Sequence, residues 1–263
     1  MPEGDTVYRT ARRLDEALAG SVLRRSDFRV PRFATLDLSG QTVEGVVSRG
    51  KHLLIRVGAD SIRSHLKMEG SWHVYRRGAR WRRPAYQARV VLVTDDVTAV
   101  GFDLADVDVV DRDREHELVD HLGPDLLGAE GPWPGWDAAE AVRRLADHPE
   151  APVFVALLDQ RNLAGLGNEY VNELCFLRGM LPTRPVARAD LEATVALARR
   201  LMTANRDRAR RVTTGATRRG RTSWVYGREG QPCLRCGTAI ARTQLGRSET
   251  ELRNAFWCPS CQS

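Results

Sequence analysis

Gly128-Ala129-Glu130-Gly131-Pro132-Trp133-Pro134-Gly135-Trp136 divides the 263-residue chain. Proline removes the N–H that a helix or central strand needs, and glycine lowers the cost of irregular backbone, so neither element runs through this stretch. The residues 128–136 are therefore expected to link two domains. On the N-terminal side, residues 22–30, 41–48, 52–57, 61–67, 71–76, 86–94, 97–103 and 106–110 read as short strands. Gly40, Ser48-Arg49-Gly50, Met68-Glu69-Gly70 and Asp95-Asp96 punctuate them. Strands so short and so tightly joined predict an antiparallel β-sandwich. One amphipathic helix leads it, with Val7, Ala11, Leu14 and Leu18 on one face and Gly20 as its stop. A short helix over 115–122 closes the domain at Gly123-Pro124. Beyond the linker the pattern is helical: 137–147, 153–159, 168–178 and a long helix over 189–211. The fold class is thus α+β and multidomain. Residues 1–127 form the sandwich domain, 137–222 a helical domain and 223–263 a cysteine-bearing tail.

The tail carries the most specific local pattern. Cys233-x2-Cys236 and Cys258-x2-Cys261 stand 21 residues apart, the spacing of a tetrahedral four-cysteine zinc site on two hairpin knuckles. Four thiolates fill the coordination shell, so one structural Zn2+ is expected, with no open position for water. Segment 239–257 would be the hairpin between the knuckles, bearing Arg242, Arg247 and Arg253. Cys175, among Leu174, Phe176 and Leu177, is expected in a core. The six histidines show no ligand spacing, and His65 is expected to be packed or hydrogen-bonded.

Charge divides along the same line. Net charge is +6, yet residues 188–263 hold 15 Arg against 6 acids, leaving 1–187 at −3. A basic C-terminal third suits a polyanion docked mainly there, although a solvated charged face fits the same count. Seven arginines (Arg206, Arg208, Arg210, Arg211, Arg218, Arg219 and Arg221) surround Thr213-Thr214-Gly215-Ala216-Thr217. They read as the end of the long helix and a mobile loop suited to phosphates, or a plain solvated loop. In Asn162-Leu163-Ala164-Gly165-Leu166-Gly167-Asn168, two glycines bring free N–H groups at a helix start close to a ligand such as a phosphate, or serve a plain helix hairpin. Of 40 basic residues only Lys51 and Lys67 are lysine. Where Arg is the default, a retained Lys suits a place that wants a compact ammonium, although chance could equally leave two. No run of 18 apolar residues and no signal-peptide pattern occurs, which predicts a cytoplasmic protein with no membrane span, associated with the nucleoid in a bacterium.

Chemistry is expected at the N-terminus. Removal of Met1 leaves Pro2 as a secondary amine able to form an iminium with an aldehyde-like carbon. An α-amino group titrates near pH ~8, so a usable fraction is neutral at pH 7. The leading helix would turn its positive end towards Pro2 and Glu3, favouring a neutral amine and an ionised carboxylate. Glu3 supplies the acid/base partner. Pro-Glu-Gly-Asp is equally a good ordinary helix start, with proline early and acids in the first turn.

Taken with Pro2-Glu3-Gly4, six further stretches occur in order: Arg49-Gly50-Lys51; Ser64-His65-Leu66; His121-Leu122-Gly123-Pro124; Leu157-Leu158-Asp159 through Gly165-Leu166-Gly167-Asn168; Val225-Tyr226-Gly227-Arg228; and Cys258-Pro259-Ser260-Cys261-Gln262. In this, over its whole length, the chain resembles the formamidopyrimidine-DNA glycosylase/endonuclease VIII family of DNA repair enzymes. The resemblance implies a helix-led β-sandwich, a helix–two-turns–helix domain with a zinc finger, and damaged DNA in the cleft between, bound by a monomer. It implies that Pro2 attacks C1′ of the damaged nucleotide while Glu3 protonates the sugar and shuttles protons. Lys51 would contact the phosphate beside the lesion, and Asn168 and Arg253 would grip phosphates. The lesion leaves the stack to be reached, and the iminium then permits strand cleavage by β- and δ-elimination.

The chain also departs from the family pattern. Thr6 stands where a second acid is common, with Asp5 or Glu173 as candidates to compensate. Gly101-Phe102-Asp103-Leu104-Ala105-Asp106 lacks the Arg–Phe wedge of the oxidised-purine branch, leaving Met68 as the wedge candidate. With Gly4 replacing an apolar residue, this favours the endonuclease VIII side and oxidised pyrimidines. The alternatives are an oxidised-purine glycosylase of the same family and a non-enzymatic damaged-DNA-binding protein.

Overall fold

The computed structural model describes residues 2–128 and 135–263; most of the expected linker, 129–134, lies outside the described residues. The chain forms two compact units, one of Thr6–His121 with Pro2, the other of Leu122–Ser263 with Glu3–Asp5.

The first unit is the helix-led antiparallel sandwich. Helix α1 (Gly4–Leu18) is followed by strands β1 (Arg25–Phe28), β2 (Val43–Arg49), β3 (His52–Val57), β4 (Asp60–His65), β5 (Ser71–Arg76), β6 (Ala88–Val93), β7 (Val97–Phe102) and β8 (Asp106–Asp111). They make two four-stranded sheets, ordered β1-β6-β7-β5 and β2-β3-β4-β8. Period-two alternation sends Leu53, Ile55 and Val57 of β3 and Val90 and Leu92 of β6 into one core, where the α1 stripe Val7, Ala11, Leu14 and Leu18 also packs. Strand β1 is shorter than the strand expected over 22–30. Val22 bridges Thr42 and Leu23 N donates to Gln41 O, so the chain pairs with the other sheet before it joins β6. The helix expected over 115–122 is instead a 3-10 segment, Arg112–Leu118. Buried Glu115 receives Arg56 and Ser61 there, which ties the segment to the sheet.

The second unit contains α2 (Ala138–Ala146), α3 (Val153–Leu158), α4 (Asn168–Leu177), α5 (Leu191–Asn205), β9 (Ala241–Leu245) and β10 (Arg253–Trp257). Asp137 and Asp190 cap α2 and α5 by accepting N–H bonds from the first turn. Phe154, Leu157, Leu163, Tyr170, Leu174, Val195, Ala198 and Met202 fill the core. Cys175 lies within it, and burial pushes its thiol up to about 12. Helices α3 and α4 with the turns between them are the helix–two-turns–helix element. The long helix ends at Asn205, not 211. The Asn205 side chain accepts from Val212 N at 2.8 Å and donates to Val212 O at 3.0 Å, which turns the chain back after the helix. Strands β9 and β10 pair as the antiparallel hairpin expected between the cysteine knuckles. No helix among the described residues is long and apolar enough to cross a membrane.

Strand register brings together histidines that linear spacing separates. His52 lies opposite His65 on the β3–β4 pair, with ring centroids 5.2 Å apart, and His121 meets His52 edge-on at 6.0 Å. Burial, then the neighbouring His65, Arg63, His121 and Lys67, holds His52 down at about 3. Burial and the two lysines hold His65 at about 4, against the opposing pull of Asp106. Both imidazoles are neutral in the folded unit, whereas the unfolded chain protonates them below about pH 6.5. The unfolded state thus binds more protons on acidification, and stability is lost as pH falls from about 6.5 towards the folded values. Melting temperature should therefore fall between pH 7 and pH 4.5, and His52→Asn should fall less over that interval. Parallel wild-type and variant curves would contradict this origin.

Candidate active site and nucleic-acid interface

Glu3 is fully buried, and its carboxylate sits on the N-terminus of α4. Gly167 N donates to Oε2 at 2.6 Å and Glu169 N donates to Oε1 at 2.9 Å. These are N–H groups of the glycine turn that the sequence offered to a phosphate; they hold an internal carboxylate instead. The helix end facing Glu3 in these bonds is that of α4, where the sequence reading invoked the leading helix. Charge-assisted bonds of this kind, on the positive end of a helix, favour the anion. Gly167 has extended backbone, so its requirement is for space: a Cβ there would lie 2.5 Å from Glu3 Cδ. Gly4 is likewise explained by close approach. Its N–H donates to Gly165 O at 2.9 Å, and a Cβ would lie 3.0 Å from Gly165 Cα. Gly165 itself needs the left-handed region, with φ +107°.

Arg211 completes this centre, and the sequence reading missed it. Placed there among the phosphate-binding arginines, it is instead nearly buried among carboxylates. It pairs with Asp5 through two contacts of 2.6 and 3.0 Å, with Glu169 at 2.6 Å and with Glu3 at 3.4 Å. Its guanidinium also lies over the Tyr170 ring, 4.4 Å from the centroid. Tyr170 donates to Asp5 at 3.1 Å, and burial, then Asp5, pushes the phenol upward. Asp5 is thus engaged with Arg211 and Tyr170. The other candidate to replace the missing acid, Glu173, is occupied elsewhere: it accepts from the N–H groups of Trp224, Val225 and Tyr226 and from the Thr213 hydroxyl.

Asn168 and Arg253 come together at β10. The Asn168 side chain donates to Asn254 O at 3.1 Å, one residue from exposed Arg253. In the first unit, Lys51 follows Gly50 (φ +58°) in the β2–β3 turn and is half-buried. Met68 is 64% exposed on the turn after β4. That turn is shaped by Lys67, at φ +51°, whose N–H donates to His65 Nδ1 at 3.0 Å. The β7–β8 connection is short, with Leu104 buried and Asp103 paired to Arg83.

Cys233, Cys236, Cys258 and Cys261 converge, with their sulfur atoms all within 4.8 Å of one another, the one such cluster among the described residues. Both knuckles are held by backbone. Cys233 N donates to Thr238 O and Gly237 N to Cys233 O, while Gln262 N donates to Cys258 O. Gln262 also accepts from Cys258 N and donates to Met180 O, fixing the second knuckle to the chain beyond α4. The small finger core of Val225, Ile240 and Phe256 borrows Phe176 from α4.

Together these features define a helix–two-turns–helix protein with a cysteine finger and a buried acid next to Pro2. Residues 1–110 match the formamidopyrimidine-DNA glycosylase N-terminal domain. A Streptomyces coelicolor chain described as "Probable endonuclease 8 2" is 53% identical, the match covering 100% of this chain and 94% of that one. The DNA-(apurinic or apyrimidinic site) lyase Nei2 of Mycolicibacterium smegmatis is 50% identical, covering 100% and 99%. Among solved structures, Lactococcus lactis formamidopyrimidine DNA glycosylase bound non-covalently to DNA containing an AP site shares the fold, with TM-score 0.78 and 23% identity over 99% of both chains. The chain belongs to the formamidopyrimidine-DNA glycosylase/endonuclease VIII family of base-excision-repair enzymes.

Gly167→Ala tests the packing around Glu3. A methyl group there must push the carboxylate off the α4 amides, and displacement by about 1 Å can cost ~100-fold in rate. Base excision should fall by about that factor while affinity for abasic DNA is retained. Unchanged excision kinetics would show that the Glu3 position does not matter.

Proposed function

We propose that this chain is a bifunctional DNA glycosylase/AP lyase that uses the Pro2 amine as nucleophile and Glu3 as proton carrier. The observation that carries the reading is the buried Glu3 carboxylate, held by the α4 amides in the residue next to Pro2. Pro2 nitrogen bonds to C1′ of the flipped nucleotide and gives up its N–H proton to the Glu3 carboxylate, while the base departs with the electron pair of its glycosidic bond and takes a proton from water. Glu3 delivers a proton to the sugar as the ring opens to the iminium. The iminium acidifies the 2′ hydrogen; loss of that proton expels the 3′ phosphate, and a second elimination expels the 5′ phosphate. Lys51 neutralises the phosphate beside the lesion, and Asn168 and Arg253 bind flanking phosphates.

The partner is damaged DNA, engaged by a monomer in the cytoplasm or nucleoid. Solved neighbours of this fold include complexes with DNA carrying 8-oxo-G or an AP site. We assign the lesion class to oxidised pyrimidines. The short β7–β8 connection turns Leu104 inward and leaves exposed Met68 to fill the vacated stack. The domains are assigned as 1–127 for the sandwich, 137–222 for the helical domain and 223–263 for the finger.

Four soft thiolates at mutual distances suited to Zn–S bonds of about 2.3 Å fit a tetrahedral Zn2+. The metal is structural: all four positions go to Cys233, Cys236, Cys258 and Cys261. Cys258→Ser should release zinc and abolish tight DNA binding while the Thr6–His121 unit stays folded. Arg253→Ala should keep zinc and make the salt dependence of binding shallower by about one unit. Metal-free protein that binds DNA fully would contradict this role.

The reaction is tested by borohydride trapping and a lesion panel. Mature protein should begin at Pro2, and borohydride should link it to abasic DNA. A retained N-terminal tag acylates the nitrogen and should abolish trapping, excision and strand cleavage together, while DNA binding survives. Thymine glycol and dihydrouracil should be released faster than 8-oxoguanine from matched duplexes. Equal trapping of tagged protein would move the nucleophile to Lys51 or Lys67, and the reverse lesion order would overturn the pyrimidine assignment.

A further inference from the structure

Arg211 touches three carboxylates at once, and one of them is Glu3. We propose that Arg211 is a positioning residue for base excision: through Glu3 it holds the proton carrier ionised and in one orientation at rest. The inference rests on the reading of Glu3 as proton carrier. It assigns a function to an arginine outside every stretch that carries the family resemblance.

The groups facing Glu3 come from four parts of the second unit. Helix α4 contributes the Gly167 and Glu169 amides, the Glu169 carboxylate and Tyr170; the first turn of α1 contributes Asp5. The segment after α5 contributes Arg211, and the start of the finger segment contributes Tyr226. Burial, then Glu169 and Glu3, pushes Tyr226 upward, and Tyr170 is raised as well, so both phenols stay neutral. Arg211 is therefore a cation set against three carboxylates, Glu3, Asp5 and Glu169, beside the titratable Pro2 amine that adjoins Glu3 in sequence. Without it, three carboxylates would crowd a dry site, and the cluster would take up a proton at higher pH. Asp5 acts with the opposite sign: its charge repels that of Glu3 and draws on the same guanidinium.

This arrangement gives two variants with opposite expected shifts. The readout is the ratio of base excision to cleavage at a pre-formed abasic site, measured in single turnover against pH. Protonation of Pro2 slows both reactions and cancels, so the ratio falls when Glu3 is protonated prematurely. Arg211→Gln should move the midpoint of that fall upward by roughly one to three pH units, the range for loss of an opposite charge at such distances. Asp5→Asn should move it downward, and Arg211→Lys should restore the wild-type midpoint. In a Glu3→Gln background the ratio should be low and flat, with no added effect of Arg211→Gln. An Arg211→Gln or Asp5→Asn midpoint equal to wild type would overturn the role of Arg211. If Arg211→Gln fails to fold, Asp5→Asn decides alone. A Glu3→Gln ratio that keeps the wild-type midpoint would instead overturn Glu3 as the proton carrier.

Discussion

A carboxylate removed from water costs several kcal/mol unless donors replace its hydration. Glu3 meets that demand with two α4 amides and a guanidinium, and much of the surrounding sequence follows from it. Gly167 leaves the space in which the carboxylate lies, and Gly4 and Gly165 let two backbones touch. Arg211 must return to this point from beyond α5. The two hydrogen bonds between the Asn205 side chain and the Val212 backbone make that return, and Glu173 then fixes the chain that follows by accepting from residues 224–226.

Helix α4 organises the finger by the same means. Asn172 accepts from Phe256 N at 2.5 Å and donates to Asn254 O at 3.1 Å, while Asn168 donates to the same carbonyl. Phe176, one turn further on, packs into the finger core. One ten-residue helix therefore presents its N-terminus to Glu3, its asparagines to β10 and an aromatic ring to the cysteine-bearing tail. Asn168 stabilises this framework, and its position beside Arg253 also suits the phosphate contact proposed for it.

Features written locally were legible in the sequence. Alternation gave the strands, the i, i+4, i+7 stripe gave α1, and paired CxxC motifs gave the cysteine cluster. The Gly-Leu-Gly-Asn turn showed that N–H groups were available but not for whom, because Glu3 lies 164 residues away from Gly167. Arg211 was one of seven arginines in a run, and no periodicity separates the buried one from its neighbours. The early end of α5 was hidden for a related reason: residues 206–211 are tolerable helix formers, and what stops them is a side-chain pairing across seven residues. The histidine group became visible only through strand register, which sets His52 against His65.

The residue on which so much structure converges is the neighbour of Pro2, the nucleophile proposed above. Pro2, once first in the chain, is tethered on one side only, so its placement depends on the residues that follow. Glu3 is held by its side chain and Gly4 by its backbone N–H, both against the turn that begins α4. From Thr6 onward the α1 stripe is held by the sandwich core. In the reaction proposed above, the residues immediately behind the amine are thus held by side chain and backbone. A charged anchor suits this task better than an apolar one, because directional hydrogen bonds to both carboxylate oxygens fix orientation as well as depth. In the proposed reaction the same charge takes and gives the proton. Under that proposal, positioning of Pro2 and proton transfer at Glu3 depend on one set of bonds, and a change that loosens either disturbs both.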